Sequence, residues 1–164
     1  MQVDFFKTSC IPSETNVELF GIHDETNNNV PAYLVFDEFK SWMLTIQNNK
    51  NKIVVFYPID NCLKIFKPET RNKESLCDGF FIYEDNICFV ELAESKHKSP
   101  QECIDQLIST LTFFNTYHSA EQYSKKYALV SNIRKITSSI STERQENFKF
   151  NTGYNLIIKT KIEI

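Results

Sequence analysis

The strongest constraint on this chain's fold is a pair of apolar runs with almost nothing between them. Residues 79–83 (Gly-Phe-Phe-Ile-Tyr) and 87–90 (Ile-Cys-Phe-Val) are separated only by the polar turn Glu84-Asp85-Asn86. That spacing predicts an antiparallel hairpin whose second arm runs on into Glu91-Leu92-Ala93. A helix is equally legible after Pro100. Ser99 suits the N-cap, Pro100 the first turn, and Glu102 places negative charge at the positive helix end. Ile104, Leu107, Ile108, Leu111 and Phe114 then recur at helical spacing as one apolar stripe.

The remaining elements read as mostly β structure before the hairpin and mixed structure after it. Strands are expected over 17–20, 30–36 and 53–57, with a shorter one over 62–66. Residues 36–48 fit either a helix or a strand. The strand over 42–47 is favoured, because the polar turn 48–52 would then join it to 53–57 as a hairpin. Residues 67–76 read as a charged surface loop, 127–131 as a buried strand, 139–148 as a short helix and 154–159 as a closing strand. The expected fold is α/β, a mixed central β-sheet with a flanking helix, in a single domain over 1–164.

Composition removes much familiar chemistry. With 164 residues, 41% of them hydrophobic, the chain is long enough for a real core. Its three glycines, at 21, 79 and 153, are too few for any phosphate-cradling glycine loop. His23, His97 and His118 are scattered, which excludes a His-Glu-x-x-His zinc site. Cys10, Cys62, Cys77, Cys88 and Cys103 are odd in number and far apart, so most are read as buried thiols. Residues 1–7 lack the basic and apolar regions of a signal peptide, and no run approaches bilayer-spanning length. A cytoplasmic location with no membrane partner is therefore expected. The formal net charge of -3 argues against coating nucleic acid by bulk charge, though not against a nuclease whose local field is set by metal ions. The abundant phenylalanine and tyrosine of the strands read as core rather than as base-stacking platforms.

Two carboxylates stand out. Asp78 immediately precedes one hairpin strand, a position where aspartate is depleted, and Glu91 follows four apolar residues in a segment that reads as buried. Across a hairpin the two would repel unless a cation lay between them, and a hard divalent ion such as Mg²⁺ takes oxygen ligands. On bland readings both are solvated edge residues, Gln106 is a polar helix-face residue and Asp60 is a turn residue.

The run Cys77-Asp78-Gly79-Phe80-Phe81, the turn, and Ile87 to Leu92 resemble the core of the PD-(D/E)xK, or restriction-endonuclease-like, nucleases over about residues 77–133. That pattern is an aspartate, a hairpin with Glu-x-Lys on its second strand, a helix and a further strand. The resemblance implies that Asp78, Glu91 and the Leu92 carbonyl hold Mg²⁺ (or Mn²⁺). Gln106 would sit beside the site, and phosphodiester bonds of DNA, more than RNA, would be the substrate. It also implies a role in bacterial anti-phage defence, and so small a module, with no obvious sequence-reading domain, would need a homodimer or a larger partner protein to choose its targets. Trp42, Pro58 and Asp60 look like less specific parts of the same pattern, and Glu38 like the upstream acidic residue some members carry.

The lysine of Glu-x-Lys should stand at position 93, where this chain has Ala93. Three explanations stand open. Ala93 is a substitution introduced to silence a toxic nuclease; or the loss is native and the chain is a binding or regulatory subunit; or Lys96 or Lys98 supplies the charge from a migrated position.

Overall fold

The computed structural model describes residues 3–25, 29–37, 42–67, 70, 72–93, 98–132 and 140–164. Among the described residues ten strands form two sheets. In chain order they are β1 (Ser13–Thr15), β2 (Leu19–His23), β3 (Tyr33–Val35), β4 (Leu44–Gln47), β5 (Val54–Pro58), β6 (Gly79–Tyr83), β7 (Asn86–Ala93), β8 (Lys125–Asn132), β9 (Asn155–Ile158) and β10 (Lys161–Glu163). Helix α1 (Pro100–Tyr117) connects β7 to β8, and α2 (Thr142–Thr152) lies between β8 and β9.

The larger sheet has the order β1-β5-β6-β7-β8-β9. It is antiparallel from β1 to β7 and parallel from β7 to β9, the crossovers carrying the two helices. The smaller sheet runs β10-β4-β2-β3. One face of the larger sheet, with Phe80, Ile87, Phe89, Ala128 and Val130, packs on Ile104, Leu107, Leu111 and Phe114 of α1. The other face, with Phe56, Phe81, Val90 and Leu129, packs on Phe20, Ile22, Leu44 and Ile46 of the smaller sheet. All eight residues of β7 are consequently buried.

The predicted hairpin forms as β6 and β7, with Glu84 at φ 52° in its turn. Ser99 caps α1 in a full capping box with Glu102, and the predicted stripe is buried except for Ile108, which is exposed at the edge of the helix footprint. Phe80, Phe81 and Phe89 are wholly buried, as core residues should be. The strand reading of 42–47 holds as β4, but its expected hairpin with 53–57 does not form. β4 pairs with β2 and β10, whereas β5 pairs with β1 and β6. The reason is the buried Asn48. Its amide donates to the Val17 and Lys52 carbonyls and accepts from the Lys52 N–H, turning the chain out of one sheet and into the other. Residues 62–66 form no strand, only a Phe66–Lys73 bridge. The single predicted sheet is thus two, and β1 and β10 went unpredicted.

Cys77, Cys88 and Cys103 are buried thiols, as expected, but Cys10 and Cys62 are joined in a disulfide. That bond withdraws the support the cysteines lent to a cytoplasmic location, since disulfides persist mainly in oxidising compartments. Among the described residues no helix is long and apolar enough to cross a membrane.

Candidate metal and phosphodiester site

The hairpin register brings the carboxylates together. Gly79 pairs with Val90, so Asp78, one step outward, lies opposite Glu91 at the end of the ladder. Alternation then sets the faces. Asp78 shares a face with Phe80, and Glu91 with Phe89 and Ala93, and all three of those apolar residues belong to the cluster under α1. Glu91 is fully buried and Asp78 nearly so.

Each carboxylate is held differently. Asp78 Oδ2 accepts from the Leu92 N–H at 2.6 Å, and the Asp78 carbonyl accepts from the Ile59 and Asp60 N–H groups at 2.9 and 3.4 Å. Glu91 Oε1 accepts from the Lys98 ammonium, while Oε2 is buried with no partner. Burial, then the charge of Glu91, pushes Asp78 well above the usual carboxylate range; the Leu92 N–H and Lys98 oppose this. Burial likewise raises Glu91 to about 7 despite the pull of Lys98. The Lys98 pKa is raised in return, because attraction to Glu91 outweighs desolvation.

Gln106 projects from α1 onto the segment preceding Asp78, its amide donating to Ser75 Oγ at 2.6 Å and to the Leu76 carbonyl at 3.3 Å. Its Oε1 is buried and unpartnered. Thr110, which sequence reasoning missed, accepts from the Cys77 N–H at 2.8 Å and so also fixes the approach to Asp78. Threonine inside an apolar stripe was its only signal. Asp60 packs beside Asp78 through the backbone, with its side chain bonded to Lys73 and Asn61. Asp24, at the end of β2, was also missed; its charge reaches Asp78 and Glu91 from the other sheet, and no sequence spacing foretells that. Trp42 lies against Gly21 in the smaller sheet, where a Cβ on that glycine would fall 2.4 Å from the indole. Leu92 meets Asp78 through its N–H. Glu38 and Lys96 lie outside the described residues.

Ala93 is 1% exposed and lies in the cluster with Ile104 and Cys103. Ala93 thus packs among apolar side chains, and the ammonium of Lys98 meets Glu91 instead. Among the described residues no three of His, Cys, Asp and Glu converge on one point as a metal cluster. Asp78 and Glu91 bring two carboxylates, which are hard oxygen donors, to this end of the hairpin, and Glu91 Oε2 is a buried oxygen without a partner. Compared with known protein families, with curated proteins and with solved structures, the chain matches none.

Proposed function

We propose that this protein is a metal-dependent phosphodiesterase acting on DNA, in which Asp78 and Glu91 hold Mg²⁺ or Mn²⁺ and Lys98 supplies the ammonium that Glu-x-Lys would place at 93. The observation that carries this reading is the buried carboxylate pair on one hairpin face, with one Glu91 oxygen unpartnered and the other on Lys98. The order of three antiparallel strands, a helix and a parallel strand supports it too. The ion, when bound, would polarise the scissile phosphate and activate water. The Leu92, Ile59 and Asp60 N–H groups fix Asp78, so its ligand oxygen is aimed in advance. Lys98 neutralises Glu91 while the site is idle and is free to meet charge developing on a phosphoryl oxygen. With no evident sequence-reading module, target choice would fall to a second copy or a larger partner, as in a defence system.

Lys98 is itself a cation at the carboxylate pair, and this supports a second reading. The chain keeps the fold and binds a partner, and the lysine stands permanently where an ion would be. Incubating single- and double-stranded DNA and RNA with Mg²⁺ or Mn²⁺ separates the two. Under the first, the unaltered protein cleaves, Glu91→Gln is inert, and Lys98→Met loses ~10²–10³ in rate. Under the second, the unaltered protein and Lys98→Met are both inert, yet Lys98→Met binds Mn²⁺ more tightly. Cleavage that appears only in Ala93→Lys would place the missing ammonium at 93 and refute the role given to Lys98.

A further inference from the structure

The Cys10–Cys62 disulfide joins the N-terminal segment to a turn that bears on the carboxylate pair. Cys62 closes the turn that follows β5, where the Ile59 carbonyl accepts from the Cys62 and Leu63 N–H groups at 3.0 and 2.9 Å. The same turn supplies the Ile59 and Asp60 N–H groups that hold the Asp78 carbonyl, and Asp78 Oδ2 accepts from the Leu92 N–H. Three hydrogen bonds in series therefore run from Cys62 to Leu92, the neighbour of Glu91. Within the turn Asn61 stands at φ 63°, in the left-handed region that asparagine tolerates but does not prefer. Such a turn depends on contacts outside itself to keep its shape.

That hold comes from the N-terminal segment. Phe5 is fully buried against Phe114, and Phe6 lies edge-on to Tyr57 and Phe80. Ser9 then donates both its N–H and its hydroxyl to the Cys62 carbonyl, at 3.2 and 2.9 Å, and Cys10 closes the disulfide. Cys10 is half-buried between the exposed Ser9 and Ile11, whereas Cys77, Cys88 and Cys103 are buried thiols. A thiolate arriving from solvent thus meets the bond at Cys10, and accessible disulfides are the ones that exchange readily. The ring contacts of Phe5 and Phe6 and the two Ser9 bonds do not require the disulfide, so its loss frees the turn without unseating the segment.

We propose that Cys10–Cys62 is a redox-sensitive tie that sets Asp78. When a dithiol opens it, the 59–62 turn loosens and the Asp78 carboxylate loses its fixed place opposite Glu91. One thiolate of the dithiol attacks Cys10 Sγ, forming a mixed disulfide and releasing Cys62 as a thiolate that takes up a proton. The second thiol then displaces Cys10, and the dithiol leaves as its own internal disulfide, so two electrons and two protons pass to the protein. The effect on cation binding rests on the reading of Asp78 and Glu91 as a metal site, whereas the effect on Asp78 itself does not.

Amide NMR of the metal-free full chain, reduced with dithiothreitol and then reoxidised, tests this. Leu92 is remote in sequence from both cysteines, so its amide resonance reports the Asp78 contact. It should shift on reduction and return on reoxidation, with Phe20 and Ile46 of the smaller sheet unmoved. The double variant Cys10→Ser/Cys62→Ser should show the reduced spectrum with no reductant present. Calorimetry should find its Mn²⁺ affinity lower by about tenfold, the loss expected when a ligand's supporting contacts go. A Leu92 shift with no Mn²⁺ binding in either form would refute the metal site and support the tie. The tie is overturned if dithiothreitol leaves the bond intact, if Leu92 stays fixed on reduction, if Phe20 and Ile46 move with it, or if both forms bind Mn²⁺ equally well.

Discussion

Replacing Glu91 with glutamine keeps the shape of the side chain and removes its charge, so the change should reveal what burying that carboxylate costs. The folded pKa is about 7 against an ordinary 4.5. The native state therefore binds this proton more tightly than the unfolded chain does, and stability falls as pH rises between those values. A displacement of that size corresponds to about 3 kcal/mol, fully present below the unfolded pKa and lost by the time pH passes the folded one. Asp78, raised by burial and by Glu91, contributes with the same sign, and removing the Glu91 charge eases it too. His118 works the other way: burial lowers its pKa, so its contribution fades as pH falls. Taking the difference between two proteins cancels such shared terms. Urea unfolding of chelator-treated protein from pH 4 to 8 should show Glu91→Gln gaining on the unaltered chain as pH rises, by about 3 kcal/mol at the alkaline end. Lys98 is partly exposed, so its ammonium can turn to water once its partner is neutral. A difference that stays flat, or that grows toward acid, would refute the buried, partly protonated carboxylate on which the site rests.

Two further outcomes test the frame around the site. The Cys10–Cys62 disulfide closes a sequence separation of 52, so Cys10→Ser should cost about 4 kcal/mol in unfolding experiments under oxidising conditions and nothing under reducing ones. A Cβ at Gly79 would fall 2.6 Å from the Phe56 ring and 2.7 Å from the Tyr57 carbonyl oxygen. Gly79→Ala should thus cost about 1–3 kcal/mol in thermal unfolding and move the neighbouring Asp78.

What could be read from the sequence was whatever is decided within a few residues. The β6–β7 hairpin follows from a turn between two apolar runs, and the start of α1 from Ser99, Pro100 and Glu102 alone. The facing of Asp78 and Glu91 was legible for the same reason, since a hairpin fixes its own register. The split into two sheets was not. It turns on Asn48, a polar residue that looks like any turn asparagine until its amide is found bridging Val17 and Lys52. The Cys10–Cys62 link and the approach of Asp24 depend on distant segments meeting, which no local pattern encodes. Lys98 lay between the two cases. Lys96 and Lys98 both stand close enough in the sequence to replace a lysine at 93, but only the fold sets Lys98 against Glu91.

The pairing of β10 with β4 bears on how the chain reaches this state. Thr45 and Lys161 are neighbours in register although more than a hundred residues separate them. β2, β3 and β4 can meet early through short connections, but β4 then presents a bare edge of N–H and C=O groups until residues 161–163 arrive. Closing so long a loop is slow, and during the wait the edge accepts any strand of compatible register. The strand best matched to it is β10 of another copy. Folding at high concentration should therefore yield strand-exchanged dimers, in which each second sheet is completed by its neighbour's last strand.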